Sequence, residues 1–255
     1  MIFLPMIAAA NLNWSGPVID TPGNHQWTGI TASYIVPEFT PSAQEPKPGS
    51  SSGGGAVALW AGLGGGNGGK YSSTASRTLL QAGILAQQSP NGGIEQNLVW
   101  EFYNKPIHVD PPVFPGNQIS IVIMPLVNEP NEDIVQDLDV TTGAATGRIV
   151  TVNGGFDTAE VVAESPMYAN PNGTMMLRNV LPFAPENFTA SFLSSPGGWQ
   201  AYNSADTEME PVDNYSMTWP TQSGTTNIIT SSQSPGGGLW TWQQNAYWET
   251  ANPPA

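Results

Sequence analysis

The stretch "TLLQAGILAQQ", Thr78 to Gln88, decides how the chain is read. It is a short apolar strand-like run interrupted by one amide, Gln81, set between Leu79, Leu80, Ala82 and Ile84. Runs of the same kind recur: "ITASYIVPEF", "AVALWAGL", "NLVWEFY", "QISIVIMPLV", "GRIVTVNGG", "TAEVVAES", "NFTASFLSS", "NIITSSQS" and "LWTWQQNAYW". Between them fall 28 Gly and 24 Pro, at spacings that suit turns and defeat long helices. The chain therefore reads as all-β, with two packed antiparallel sheets. Its 255 residues suit a single domain. The apolar segment 1–12 is an extra strand or the remnant of a leader, and the Gly/Ser/Pro segments Thr40–Gly55 and Gly64–Gly69 are surface loops.

Charge bounds the partners. Twenty Asp and Glu against six Lys and Arg give −14, which repels nucleic-acid phosphates. In strong acid the carboxylates neutralise and only the six Lys and Arg and two His remain charged, a low ceiling on self-repulsion that acid tolerance needs. With no cysteine there is no disulfide, thiol nucleophile or thiolate metal site. No run reaches membrane-spanning length. Four N-x-S/T sequons, at Asn13, Asn172, Asn187 and Asn214, are of a kind that Asn-rich chains produce by chance.

Two familiar chemistries fit poorly. "GGGNGGKY", Gly64 to Tyr71, nearly matches a phosphate-binding loop, but Tyr71 stands where the magnesium-binding hydroxyl belongs and no amphipathic helix follows. A Ser-His-Asp triad would have to use His25 or His108, and neither lies near a nucleophile motif. His108 and Asp110 share a strand face, but a third metal ligand is not evident, so they read as a solvated strand end.

Carboxylates inside strand-like runs are more informative. In "TAEVVAES" the pleat turns Glu160, Val162 and Glu164 to one face and Ala159, Val161 and Ala163 to the other. The small and apolar set takes the core, so the acids line a polar or functional face. In "NLVWEFY" the same alternation groups Val99, Glu101 and Tyr103 against Leu98, Trp100 and Phe102. Taken singly, each acid is a sheet residue in water and Gln81 a hydrogen-bonded core amide.

Several of these runs, in this order, resemble the motifs of the glutamic peptidases, the acid endopeptidases also called eqolisins. "NWSGPV" at Asn13–Val18 resembles the family's Asn-Trp-(Ala/Gly)-Gly, "LWAGLGG" at Leu59–Gly65 its Trp-Val-Gly-Ile-Asp-Gly, and "LLQAG" at Leu79–Gly83 its Leu-Gln-(Ala/Thr)-Gly. "VWEFY" at Val99–Tyr103, "PGNQISIVI" and "AEVVAESP" at Ala159–Pro166 resemble three further motifs. The resemblance implies a sandwich of two roughly seven-stranded antiparallel sheets, concanavalin-like, with a cleft on a concave face. It puts the catalytic pair on Gln81 and Glu164, and the residues that shape the cleft on Trp14, Trp60 and Glu101, with Glu160 balancing charge or binding substrate. The family's Asp in its Trp-Val-Gly-Ile-Asp-Gly motif is Gly64 here, the aromatic after the first Glu of its Ala-Glu motif is Val161, and the fungal members' disulfides have no cysteine to form them.

The implied activity is a secreted, pepstatin-insensitive endopeptidase working in acid, as a monomer on polypeptides, without cofactor or metal, nucleic acid or membrane. In acid, His is protonated and Ser or Cys nucleophiles lose their base, which leaves a carboxylate to activate water. On this reading Glu164, held ionised by hydrogen bonds, is the base. Gln81 orients the water and donates N–H to the oxyanion, a contact worth on the order of 3 kcal/mol. The alternatives are a carbohydrate-active or carbohydrate-binding sandwich, which nine Trp and paired acids would also suit, and a catalytically inactive family member.

Overall fold

The computed structural model describes residues 14–20, 26–41, 55–64, 79–89, 91–102, 105–152, 155–169, 175–177, 180–195, 198–201, 212–215, 217–221, 224–233 and 240–244. Its strands are β1 (Trp14–Asp20), β2 (Gln26–Ile35), β3 (Ala56–Gly64), β4 (Leu79–Gln88), β5 (Ile94–Phe102), β6 (His108–Pro112), β7 (Gln118–Leu126), β8 (Glu129–Asp139) and β9 (Ala145–Thr151). There follow β10 (Thr158–Glu164), β11 (Met167–Ala169), β12 (Met175–Leu177), β13 (Glu186–Ser195), β14 (Gly198–Ala201), β15 (Val212–Tyr215), β16 (Met217–Thr221), β17 (Gly224–Gln233) and β18 (Trp240–Gln244).

The strands make an antiparallel sandwich. One sheet has seven strands in the order β15-β1-β10-β3-β4-β5-β6, matching the expected size. The other has nine, β16-β17-β18-β13-β2-β7-β8-β9 with β14 added against β13, and so exceeds the seven expected. Strand β11 pairs with β12 in a separate two-stranded ribbon. The apolar segment 1–12, His25, and nearly all of the two Gly-rich loops lie outside the described residues.

Alternation explains the layering. Trp27, Ile30, Ala32 and Tyr34 of β2 turn inward, as do Leu80, Ala82 and Ile84 of β4 and Ala159, Val161 and Ala163 of β10, and all join one core between the sheets. The small-residue face expected of "TAEVVAES" is thus the core face, as is Leu98 and Trp100 of β5. Two polar groups in this layer are tied: the Tyr34 hydroxyl donates to the Leu59 carbonyl at 3.0 Å, and Trp27 Nε1 donates to the Ile19 carbonyl at 3.1 Å. Trp242 lies against both Phe188 and Tyr34.

Strand β8 breaks the pattern. Asp133, Val135, Asp137 and Asp139 share its inward face, and all four are buried. Asp139 is well provided for: the amides of Thr141 and Thr142 donate at 2.9 and 3.1 Å, the Thr142 hydroxyl at 2.7 Å, and Asn117 Nδ2 donates as well. These bonds outweigh burial and hold its carboxyl below the usual range. Asp137 is not so placed. Burial pushes it well up, with Asp139 adding to the shift, and the backbone amides of Val99, Gly83 and Leu138 offset only part of it.

At one side of the sandwich, β6 ends the seven-stranded sheet in Pro111 and Pro112. His108 is stacked on Trp100, with centroids 4.1 Å apart and planes 5° apart, and Thr146 of β9 donates to Asp110. The pair expected as a solvated strand end is exposed, yet it also helps join the edges of the two sheets.

Candidate active site

Side chains on a strand repeat every second residue, so register decides which of them meet. On the face of the seven-stranded sheet turned away from the core, one cross-strand row reads Val18, Glu160, Gly62, Gln81, Glu101. The next reads Val162, Trp60, Gly83, Val99. The third reads Trp14, Glu164, Ala58, Leu85, Asn97.

The first row brings together three of the six expected side chains. Gln81 and Glu160 stand on either side of Gly62, two strands apart, or about 10 Å between Cα atoms. Gly62 makes the approach possible: a β-carbon there would lie 2.6 Å from Glu160 Oε1 and 2.9 Å from the Gln81 β-carbon. Both side chains converge over the bare glycine. On its other side Gln81 donates a side-chain hydrogen bond to Glu101.

Glu164 is elsewhere. It lies two strands across from Gln81 and four residues along, about 16 Å by Cα spacing, whereas Glu160 shares the cross-strand row of Gln81. The physical reason is register: β10 and β4 each pair with β3 so that Gly62 faces both Glu160 and Gln81, while Ala58 faces Glu164. Trp14 pairs with Glu164 through its backbone, and its side chain lies outside the described residues. Trp60 lies in the middle row, 2% exposed, in an apolar cluster with Val18, Ala58, Val99 and Val162.

The electrostatics single out the same row. Glu160 is 0% exposed and neither of its oxygens has a hydrogen-bond partner. Burial pushes its carboxyl well above the usual range, and the charges of Asp157 and Glu164 push it further. The Oε1 of Gln81 and the Nε1 of Trp60 are also buried without partners. Buried polar atoms are nearly always satisfied, and here four without partners lie on neighbouring rows of one face.

The chain's sequence matches the model of the Peptidase A4 family over residues 12–233. It belongs to that family, the eqolisins. It is a glutamic endopeptidase by that membership rather than a carbohydrate-active sandwich. Among solved structures it is similar to scytalido-glutamic peptidase bound to a peptide-based transition-state analogue: 18% identity, 91% of this chain and 98% of that chain covered, TM-score 0.62. The eqolisin SCP-B in complex with the tripeptide Ala-Ile-His gives 19% identity, the same coverage of 91% and 98%, and a TM-score of 0.58. Aspergilloglutamic peptidase from Aspergillus niger gives 16%, 74% and 99%, and 0.50. At these identities the likeness is one of fold. A search of curated protein sequences finds no match.

Sequence reasoning passed over Gly62 and Asp157. Gly62 stood inside the quoted "LWAGLGG", two residues from Trp60 and so on its face, which was the available signal. Asp157 adjoins β10, and its contribution rests on the turn before that strand. Gly64, where the family carries Asp, has φ +84°, a conformation that favours glycine.

Proposed function

We propose that the protein is an acid endopeptidase in which Glu160 and Gln81 form the working pair. The observation that carries this is the convergence of a buried, unpartnered carboxylate and a buried amide over Gly62. Water bound to the Glu160 oxygens supplies the hydrogen bonds they lack and favours the ionised form. Glu160 then takes a proton from that water as its oxygen attacks the scissile carbonyl carbon, and a Gln81 N–H stabilises the oxyanion. Protonated Glu160 gives the proton to the departing amine as the C–N bond breaks, releasing an acid and an amine and restoring the carboxylate. A carboxyl whose neutral form is favoured by burial suits this second step.

Trp60 and the valines beside it form an apolar wall that limits water near the reacting bond. Glu164 and Asp157 act on Glu160 through their charge. Secretion and insensitivity to pepstatin belong to the same reading, the charge balance of the chain supports work in an acidic medium, and among the described residues no helix is long and apolar enough to cross a membrane.

The test is digestion of an unfolded protein at pH 3 with pepstatin present. Glu160→Gln should cost on the order of 10²–10⁴-fold and Gln81→Ala about 10²–10³-fold, while Glu164→Gln keeps cleaving. A Glu160→Gln enzyme that cleaves at the parent rate sinks the assignment.

A further inference from the structure

The Oε1 of Gln81 is buried without a hydrogen-bond partner, and the side chain beside it in the row is Glu101, to which the amide nitrogen already donates. On the other side stands Gly62, over which the Glu160 carboxyl reaches, and as the ionised base of the proposed pair Glu160 carries no proton to donate. An ionised carboxylate is an acceptor only and cannot satisfy Oε1, whereas a carboxylic acid both donates and accepts. We infer that Glu101 works as a neutral acid, closing a cyclic pair of hydrogen bonds with the Gln81 amide: its O–H to Oε1, and one Nε2–H to its carbonyl oxygen. The second Nε2–H is then left for the oxyanion. Glu101 is a positioning residue, acting through Gln81, and the inference rests on the role proposed above for that amide.

Two consequences follow from loss of the Glu101 proton. Oε1 loses its donor, so the amide is held by one bond and can turn its acceptor toward the reacting carbonyl. A negative charge also appears beside the developing oxyanion. Turnover should therefore decline as Glu101 ionises. Burial already raises the Glu101 carboxyl, with the Gln81 hydrogen bond pulling the other way, so the neutral acid is available in acid. The titratable groups facing it across Gly62 are Glu160, then Asp157 and Glu164. On the β6 side, His108 lies against Trp100 on the opposite face with Asp110, and Lys105 is in the turn after β5.

Glu101→Gln tests this directly, because a second amide forms the same cyclic pair at every pH. Its alkaline limb of kcat should move up by about one pH unit or more, with the rate at pH 3 within about threefold of the parent. Glu101→Leu should lower kcat about 10- to 100-fold with KM within about twofold. In an inactive Glu160→Gln background, the Gln81 side-chain NH₂ resonances should shift with the midpoint of the parent's alkaline limb. A Glu101→Gln profile that superimposes on the parent, a Glu101→Leu enzyme with parent kcat, or NH₂ resonances that do not titrate would overturn the inference. If Glu160→Gln and Gln81→Ala are themselves active, it is the proposed pair that fails instead.

Discussion

The Glu160 carboxylate occupies the space above Gly62, with Oε1 2.6 Å from where a β-carbon on that residue would sit. The carboxylate can swing, but the Gln81 β-carbon at 2.9 Å is tied to its strand. Gly62→Ala is therefore expected to separate the two side chains and lower kcat/KM by 100-fold or more, roughly the loss of an oriented donor. Overpacking should cost only about 1–3 kcal/mol. Steady-state kinetics beside a thermal melt would show it; an active Gly62→Ala enzyme contradicts convergence over the glycine.

Asp157 raises the Glu160 carboxyl by its charge. Removing that charge makes ionisation of the base easier, so the acid limb of kcat/KM in Asp157→Asn should lie at lower pH than in the parent. Glu164→Gln should move it in the same direction by a smaller amount, since Asp157 is the larger contributor. A shift to higher pH in either variant would mean that another group sets this limb.

Buried aspartates should tie stability to pH. Asp133 is raised from 3.8 to about 6 by burial, and Asp137 is raised further by the same cause. A raised folded pKa means stability that is full below the unfolded value and lost as pH climbs through the folded one. Between about pH 4 and 6 the parent should lose stability that Asp133→Asn retains, on the order of 1–2 kcal/mol after solvent screening. Asp137→Asn should extend the gain above that window, where its charge would face Asp139 and Tyr34. Urea unfolding at a series of pH values gives the answer; parallel curves for parent and variants would exclude this linkage.

Tyr34→Phe removes a buried hydrogen bond to the Leu59 carbonyl. A loss of about 0.5–1.5 kcal/mol is expected, with kcat unchanged because the hydroxyl lies on the core side of the sheet. Equilibrium unfolding and peptide cleavage on the same sample separate the two effects.

Pleat alternation made the layering legible in the sequence. Ala159, Val161 and Ala163 read as core and proved so, while Val162 and Val99 fell on the face that carries Gln81. The identity of the acid opposite Gln81 was not legible by this route. Glu160 and Glu164 have the same parity, and only the pairing of β10 and β4 with β3 separates them. Asp137 escaped for a related reason: in "VQDLD" alternation places acids outward, and the chain buries them instead, at an electrostatic cost at Asp137 that acid removes.

The prolines that end β6 bear on how copies of the molecule coexist. In acid, with carboxylates neutral and only eight basic side chains left, charge does little to keep molecules apart. An open strand edge would then invite intermolecular sheet growth. Pro111 and Pro112 carry no N–H, so this rim of the seven-stranded sheet is a poor template for another chain. Colloidal stability there rests on covalent structure, which no change of pH can titrate away.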